Sequence, residues 1–240
     1  MKVSVIIPTL NYKDRDTVFN LLSKQTYKDL ELILVYHEGT PDSVPINISA
    51  LDKLNYKIIN YKGRFNWSRM NNLGANFANG DIFLFMNDDM YLKSEKVIEE
   101  IVSIFHSYSE VGLIGVYKET SRVPIFYKDN LYYLPDVRGS FQAIRREDFN
   151  QLNGYSEDYI VVGSDTDICF RVWFNLNKMV VVTGSSKYSI EHQEFSTRKK
   201  LFNIPSEKEI DKKDMNTLLE RWRGKYYKQN FKGKNIEFYL

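Results

Sequence analysis

The sequence predicts an α/β fold with a mostly parallel sheet, and three observations predict it. Short, almost wholly apolar runs rich in β-branched residues recur along the first half of the chain, amphipathic segments with helical spacing lie between them, and clusters of Asn, Asp, Gly and Pro follow several of the runs. Strands buried on both faces read as continuous apolar runs, and the helices between them supply the crossovers that parallel neighbours require.

Val3-Ser4-Val5-Ile6-Ile7, stopped by Pro8, reads as the first strand. Val18, Leu21 and Leu22 carry helical spacing, and Leu30 to Val35 and Tyr56 to Asn60 read as the second and third strands. Met70, Leu73, Gly74 and Phe77 fall at i, i+3, i+4 and i+7, one face of a helix. Ile82 to Met86 is a fourth strand that ends in Asn87-Asp88-Asp89, and Val97, Ile101, Ile104 and Phe105 mark a helix ahead of a strand over Val111 to Val116. Tyr117 to Arg138 is aromatic and irregular, with Pro124 and Pro135 as breakers. Phe141 to Ile144 reads as a strand, Ile168, Val172 and Leu176 as a helix opening near Ser164-Asp165, and Met179 to Thr183 as a further strand. Ser206 followed by Glu209 has the spacing of a capping box, so a long C-terminal helix carrying Leu218, Leu219 and Trp222 is expected to open there.

Composition narrows the class. With 240 residues, 43% hydrophobic and 27% charged, the chain is an ordinary globular domain that needs neither disulfide nor metal to fold. Its one cysteine, Cys169, excludes a disulfide framework and any cysteine-based zinc cluster. No apolar run approaches the roughly 18 residues of a membrane span, and a cytoplasmic protein is expected. The net charge of +2 is uneven, because residues 199 to 240 hold 11 Lys/Arg against 6 Asp/Glu while the rest hold 22 against 25. A nucleic-acid binder would carry its basic excess on the folded body, so no nucleic-acid partner is expected. The basic tail reads first as a solvated helix, and second as a contact for anionic lipid headgroups or a partner.

In open α/β sheets, ligands bind beyond the carboxyl ends of the strands. Pro8-Thr9-Leu10-Asn11, Glu38-Gly39-Thr40-Pro41-Asp42 and Asn87-Asp88-Asp89 all follow predicted strands. Taken alone, the third cluster reads first as a solvated turn. Two adjacent carboxylates also suit a divalent cation, which binds through one or two carboxylates plus substrate phosphates.

A longer segment changes that balance. Phe65-Asn66-Trp67-Ser68-Arg69-Met70-Asn71-Asn72, the helix after it, Gly80-Asp81, the apolar strand and Asn87-Asp88-Asp89 follow one another in order. Together with the Pro8 and Glu38 clusters this set resembles the inverting family 2 glycosyltransferases of GT-A fold, closest to the bacterial branch that makes cell-surface polysaccharides. Leu152-Asn153-Gly154-Tyr155-Ser156-Glu157, Gly163-Ser164-Asp165-Thr166-Asp167-Ile168-Cys169-Phe170-Arg171, and His192 with Ser196 and Arg198 extend the resemblance to about residue 198.

The resemblance implies a Rossmann-like, mostly parallel sheet flanked by helices, with a GT-A domain over residues 1–200 and a basic helical extension over 201–240. It implies an inverting, metal-dependent transfer of a sugar from a nucleotide diphospho-sugar (UDP, dTDP or GDP linked) to a saccharide or lipid-linked hydroxyl acceptor. By the same resemblance Pro8, Thr9, Asn11, Glu38, Asn71 and Asp88 would line the nucleotide pocket. Asp89 and His192 would hold Mn²⁺ or Mg²⁺, and Asp165 would be the general base, with Asp167 as second candidate. Trp67 and Arg69 would cover the sugar, or Trp67 would serve as a core anchor. Two departures stand out: Glu38 where the family has Asp or Asn, and Ser164 where it has Glu. The second leaves open an alternative, a catalytically weakened GT-A-like binding module that keeps the nucleotide pocket. A nucleotidyltransferase is disfavoured, because Pro8 to Asp14 contains no glycine for a phosphate loop.

Overall fold

A computed structural model describes residues 1–9, 15–37, 51–116, 124–192, 204–231 and 233–240. The first half runs β1 (Val3–Thr9), α1 (Arg15–Ser23), β2 (Leu30–His37), β3 (Tyr56–Tyr61), α2 (Trp67–Phe77), β4 (Ile82–Met86), β5 (Met90–Leu92), α3 (Val97–Ser107) and β6 (Val111–Gly115). The second half runs β7 (Phe126–Lys128), β8 (Leu131–Tyr133), β9 (Phe141–Arg145), α4 (Arg146–Gln151), α5 (Ser164–Leu176), β10 (Met179–Thr183), α6 (Ser186–Ser189), β11 (Ile190–His192), α7 (Ile204–Trp222), β12 (Tyr226–Phe231) and β13 (Lys234–Tyr239).

Nine strands form one sheet in the order β3-β2-β1-β4-β9-β6-β10-β8-β7. Seven of them run one way, and only β8 and β9 are reversed. The predicted α/β architecture is therefore present. Its main core cluster is built on Val5, Ile6, Ile33, Leu34, Leu84, Phe85, Leu113 and Val181 from the central strands. The five residues of β4, β6 and β10 are buried without exception, as continuous apolar runs in a doubly covered sheet should be.

Four local features differ from expectation. The stretch expected to be irregular contains the β7–β8 hairpin, turned by Asp129 and Asn130 at φ 53° and 61°. Those two left-handed residues make the turn hairpins prefer, which a search for apolar runs does not see. Phe77, expected on the buried face of α2, is 48% exposed. The C-terminal helix begins at Ile204, ahead of Ser206, because Pro205 is tolerated in a first turn where no N–H is required. The segment expected to be a helical tail also carries the β12–β13 hairpin. Tyr227 and Ile236 of its strands are buried, Phe231 and Phe238 pack on the core while partly exposed, and the polar residues between them leave the pattern faint.

That extension is seated on the body. Leu218 and Trp222 of α7 form a second apolar cluster with Tyr159 and Phe170. Tyr227 meets the Trp173 ring at 5.1 Å and donates from its hydroxyl to Asn177 Oδ1 at 2.8 Å.

The start of β1 is pinned by polar groups. Glu31 on β2 is buried, and accepts from Ser4 Oγ at 2.7 Å, Asn79 N at 2.6 Å and Lys2 Nζ at 3.0 Å. Asp81 accepts from Lys2 N at 2.9 Å. The Gly-Asp pair before β4 thus closes the chain onto the first strand. Burial pushes the Glu31 carboxyl up, but the donors from Ser4, Asn79 and Lys2 outweigh it and hold the carboxyl below its ordinary value. Such a group contributes stability above its unfolded pKa of roughly 4.3, and that contribution disappears as pH falls through the lower folded value. Glu31→Gln should therefore cost about 1–3 kcal/mol at pH 7. Urea unfolding at pH 7 and below pH 4 should show the gap between variant and parent narrowing in acid.

Candidate active site

The parallel register of β1 and β4, from Val3↔Ile82 to Ile6↔Phe85, brings both strands to one rim of the sheet. There Thr9 Oγ1 donates to Asp88 Oδ2 at 2.6 Å. Asp88 and Asp89 stand in the turn between β4 and β5, each 7% exposed. The antiparallel pair β5–β11 sets His192 opposite Met90, and His192 Nε2 lies 3.2 Å from Asp89 Oδ1. A residue about a hundred positions away in the chain thus reaches the paired acids through one short strand.

The third element is the start of α5. Gly163 takes φ 92°, a left-handed turn in front of the helix, and Asp165 follows in its first turn. Asp165 Oδ2 accepts from Gly139 N at 2.8 Å, and Oδ1 from Thr166 N at 2.9 Å. Desolvation raises its carboxyl above the ordinary value; the two N–H bonds only partly oppose this, and nearby Asp136 adds to it. The segment before β9 fits this carboxylate closely. A Cβ at Gly139 would meet Asp165 Cβ at 2.9 Å and the Trp67 ring at 3.0 Å, so only glycine fits between them. Trp67 in turn donates from its indole N–H to Asn87 Oδ1 at 3.3 Å, and Asn87 N donates to Ser140 O at 2.9 Å. Base candidate, glycine, indole and the Asn-Asp-Asp turn form one contiguous chain of contacts.

The other expected residues are placed as follows. Pro8 is the penultimate residue of β1, next to Thr9. Asn11 and Glu38 lie outside the described residues, as do Ser196 and Arg198. Asn71 is buried in the second turn of α2, where its Nδ2 donates to Trp67 O at 2.9 Å and its Oδ1 accepts no hydrogen bond. Arg69 pairs with Glu157 at 2.9 Å on the surface. It helps to line an open cleft of ≈ 500 Å³, whose walls include Arg64 and Phe65 on one side and Lys213 and Thr217 of α7 on the other.

Asp167, the second candidate for base, faces away from this rim. It is fully buried and accepts from Arg171 Nε at 2.7 Å, Trp222 Nε1 at 2.8 Å, Arg221 Nη1 at 3.0 Å and the Tyr159 hydroxyl at 3.2 Å. Two residues along a helix is a rotation of about 200°, which carries it to the face that docks α7.

Sequence reasoning missed Gln142. Buried on β9 behind Asp165, it accepts from the Tyr155 hydroxyl at 2.8 Å and donates to Val137 O at 2.9 Å and Asp165 O at 3.2 Å. The signal was present as one amide inside an apolar strand, which must find partners when buried. The Asn66 and Asn72 of the motif are positioning groups. Asn66 caps α2 by accepting from Arg69 N at 2.8 Å, and Asn72 exchanges two 2.9 Å bonds with the Tyr155 backbone.

A divalent cation fits Asp89 and His192. Asp89 Oδ1 is buried and accepts no hydrogen bond although His192 Nε2 is 3.2 Å away. Two ligands at about 2.1 Å from a cation and at right angles stand about 3 Å apart. Among the described residues no group of three His, Cys, Asp or Glu is arranged to hold a metal, so remaining positions would fall to other oxygen donors such as phosphates.

A mostly parallel sheet with paired acids at its strand ends, and a carboxylate at a helix start beside them, put the candidate site at the carboxyl rim of the sheet. Glycosyl transferase family 2 matches residues 4–167, and the chain belongs to that family. It is 27% identical over 229 residues to the O-antigen biosynthesis protein RfbC of Myxococcus xanthus, covering 82% of this chain and 18% of that protein. It is 22% identical over 204 residues to the poly(ribitol-phosphate) beta-N-acetylglucosaminyltransferase TarS of Staphylococcus aureus, covering 78% of this chain and 35% of TarS. The chain thus spans about a fifth to a third of these curated relatives. Among solved structures, TarS 1–349 with UDP-GlcNAc superimposes with a TM-score of 0.64 at 16% identity, over 92% of this chain and 73% of that one. GalNAc-T7 with UDP, GalNAc and Mn²⁺ gives 0.67 at 14% identity, over 92% and 48%. The mannosyltransferase PcManGT of Pyrobaculum calidifontis with GDP-Man and Mn²⁺ gives 0.58 at 17%, over 75% and 56%.

The raised carboxyl of Asp165 has a thermodynamic signature. A folded pKa above the unfolded one means that the native state holds the proton longer, so stability falls as pH rises from about 4 through the folded value. Asp165→Asn has no such titration. Denaturant midpoints measured from pH 3 to 7 should show the variant gaining steadily on the parent as pH rises; parallel curves would contradict the assignment.

Proposed function

We propose that the chain is a metal-dependent inverting glycosyltransferase. It would move a sugar from a nucleotide diphospho-sugar to a hydroxyl of a saccharide or lipid-linked acceptor, with Asp165 as general base. The observation that carries this reading is the contrast between two buried acids, Glu31 and Asp167, and the partly buried Asp165. Glu31 is held below its ordinary value by a lysine, a hydroxyl and a backbone N–H, and Asp167 is paired with two arginines. Among the described residues Asp165 has only backbone donors, and it has a raised carboxyl and a place at the rim.

The step balances simply. The acceptor hydroxyl gives its proton to the Asp165 carboxylate as its oxygen bonds to the anomeric carbon. The bond from that carbon to the diphosphate breaks on the opposite face, which inverts the centre. A carboxyl raised toward neutrality is the better base, and the N–H groups at a helix start keep its anion in place until transfer. Asp89 and His192 would hold the cation, whose positive charge stabilises the departing diphosphate when bound. Thr9 fixes the rotamer of Asp88 and, with Pro8, Asn11, Glu38 and Asn71, would border the nucleotide. Three of the similar structures hold UDP-GlcNAc, UDP or GDP-Man, which supports trying UDP- and GDP-linked donors first, with dTDP as the remaining candidate.

In this reading residues 1–200 carry the chemistry and 201–240 form the extension. No helix among the described residues is long and apolar enough to cross a membrane. A cytoplasmic enzyme touching an anionic lipid surface through the extension fits its exposed Lys208, Lys212, Lys213, Arg223, Lys225 and Lys228.

Thermal shift against UDP, dTDP, GDP and CDP, each with and without Mn²⁺, tests donor and metal together. At least one nucleotide should stabilise the protein, more so with Mn²⁺, and Asp89→Ala or His192→Ala should remove the Mn²⁺-dependent part. Asp165→Asn should keep nucleotide binding and lose roughly 10³-fold or more in transfer; a variant that still turns over would overturn the base assignment. Sedimentation with phosphatidylglycerol vesicles should fall on reversing Lys212 and Lys228 to Glu. Equal sedimentation of parent and variant would remove the membrane contact while leaving the enzyme reading intact.

A further inference from the structure

The C-terminal extension holds one buried acid whose role docking does not explain. Asp214, in the middle of α7, is fully buried, and its Oδ2 accepts from three consecutive backbone N–H groups: Ile160 at 3.0 Å, Val161 at 2.8 Å and Val162 at 3.1 Å. Its Oδ1 is buried and accepts no hydrogen bond. Three successive N–H groups turned on one oxygen form a concave anion nest. Helix α7 is already fastened by Trp222, Leu218 and the Arg221 pairs to Asp158 and Asp167. Burying a carboxylate with one oxygen unpartnered is a poor way to add adhesion. What it adds is order in residues 160–162.

That loop joins the two halves of the site. At one end Ile160 O accepts from Trp67 N at 3.1 Å, fixing the start of α2 and the indole that abuts Gly139. At the other end Val162 leads through left-handed Gly163 into the turn that carries Asp165, and Asp167 N donates back to Gly163 O at 2.8 Å. A Cβ on Gly163 would lie 3.8 Å from Asp214 O, so α7 covers this turn directly.

We propose that Asp214 is a positioning residue for the transfer reaction, acting through the 160–162 loop on Trp67 and Asp165. The extension would then complete the catalytic site from outside the family-matched segment. The catalytic part of this inference rests on the glycosyltransferase reading, whereas the structural part stands on its own.

Hydrogen–deuterium exchange on the full chain separates the two. In Asp214→Ala the amides of Ile160–Val162 and the amide of Trp67 should exchange about 10-fold faster or more, while β1 and β4 stay as in the parent. Asp214→Asn keeps an acceptor oxygen without the charge and should fall between, and it decides the matter if the alanine variant does not fold. Arg221→Ala serves as control, because it loosens the seat of α7 without touching the nest and should leave Trp67 protected. Fast exchange confined to α7 and Ile160–Val162, with Trp67 unchanged in both Asp214 variants, would overturn the proposal. For the chemistry, UDP affinity should stay within about twofold while the rate of nucleoside diphosphate release from the donor falls about 10-fold; equal rates would overturn it as well. A parent that releases no nucleoside diphosphate from any donor would refute the transferase reading instead, and the exchange result would still decide whether Asp214 orders the site.

Discussion

The parallel pairing of β1 with β4 is the constraint on which the site depends. Both strands are buried on their two faces, so their backbone groups have no partner but each other and their outer neighbours, and a slip of register would expose apolar side chains. Fixing that register ends both strands at one rim and brings Thr9 to Asp88. The Glu31 hub and the Gly80-Asp81 corner lock the opposite end of the same two strands. Everything that reaches the rim from elsewhere arrives at a position this pairing has set: His192 by β11, Trp67 by α2, Asp165 by α5.

Buried carboxylates are costly, and this fold holds several within one domain. Their surroundings divide them by task. Glu31 and Asp167 face cations and several donors, and they join elements that would otherwise drift: β1 to β2, and α5 to α7. Asp214 faces only N–H groups and shapes a loop. Among the described residues Asp165 has backbone N–H donors and no cation, and desolvation, only partly opposed by those donors, raises its carboxyl. The two acids of the Asp-Thr-Asp motif, two positions apart on one helix, therefore meet opposite surroundings, because the helix turns one toward the rim and the other toward Trp222.

The extension also reads differently in three dimensions. Its charge marks it as separate in composition, with an excess of basic residues. Its buried residues tie it to the body: Asp214, Leu218, Trp222, Tyr227 and Ile236 all face inward. Composition reports mainly what the solvent sees, and here the exposed side of the segment conceals a docked face.

The α/β class, β1 to β4, β6 and the Asn87-Asp88-Asp89 turn were legible from the sequence because they rest on local periodicity and on apolar runs that continuous burial requires, whereas the three-residue β5 was not. Phe65 to Asn72 and Gly163 to Arg171 pointed to the rim as ordered motifs. The β7–β8 and β12–β13 hairpins were not legible, since turn geometry and half-exposed strands leave weak patterns. Neither were the roles of Gly139, Gln142 and Asp214, because each depends on a neighbour between 23 and 54 positions away. The sequence by itself determined the apolar central strands, the amphipathic helices between them and which acids could do chemistry. Only the tertiary structure decided which acid faces a rim and which faces an arginine, because a carboxylate's behaviour is set by the donors and solvent that packing brings to it.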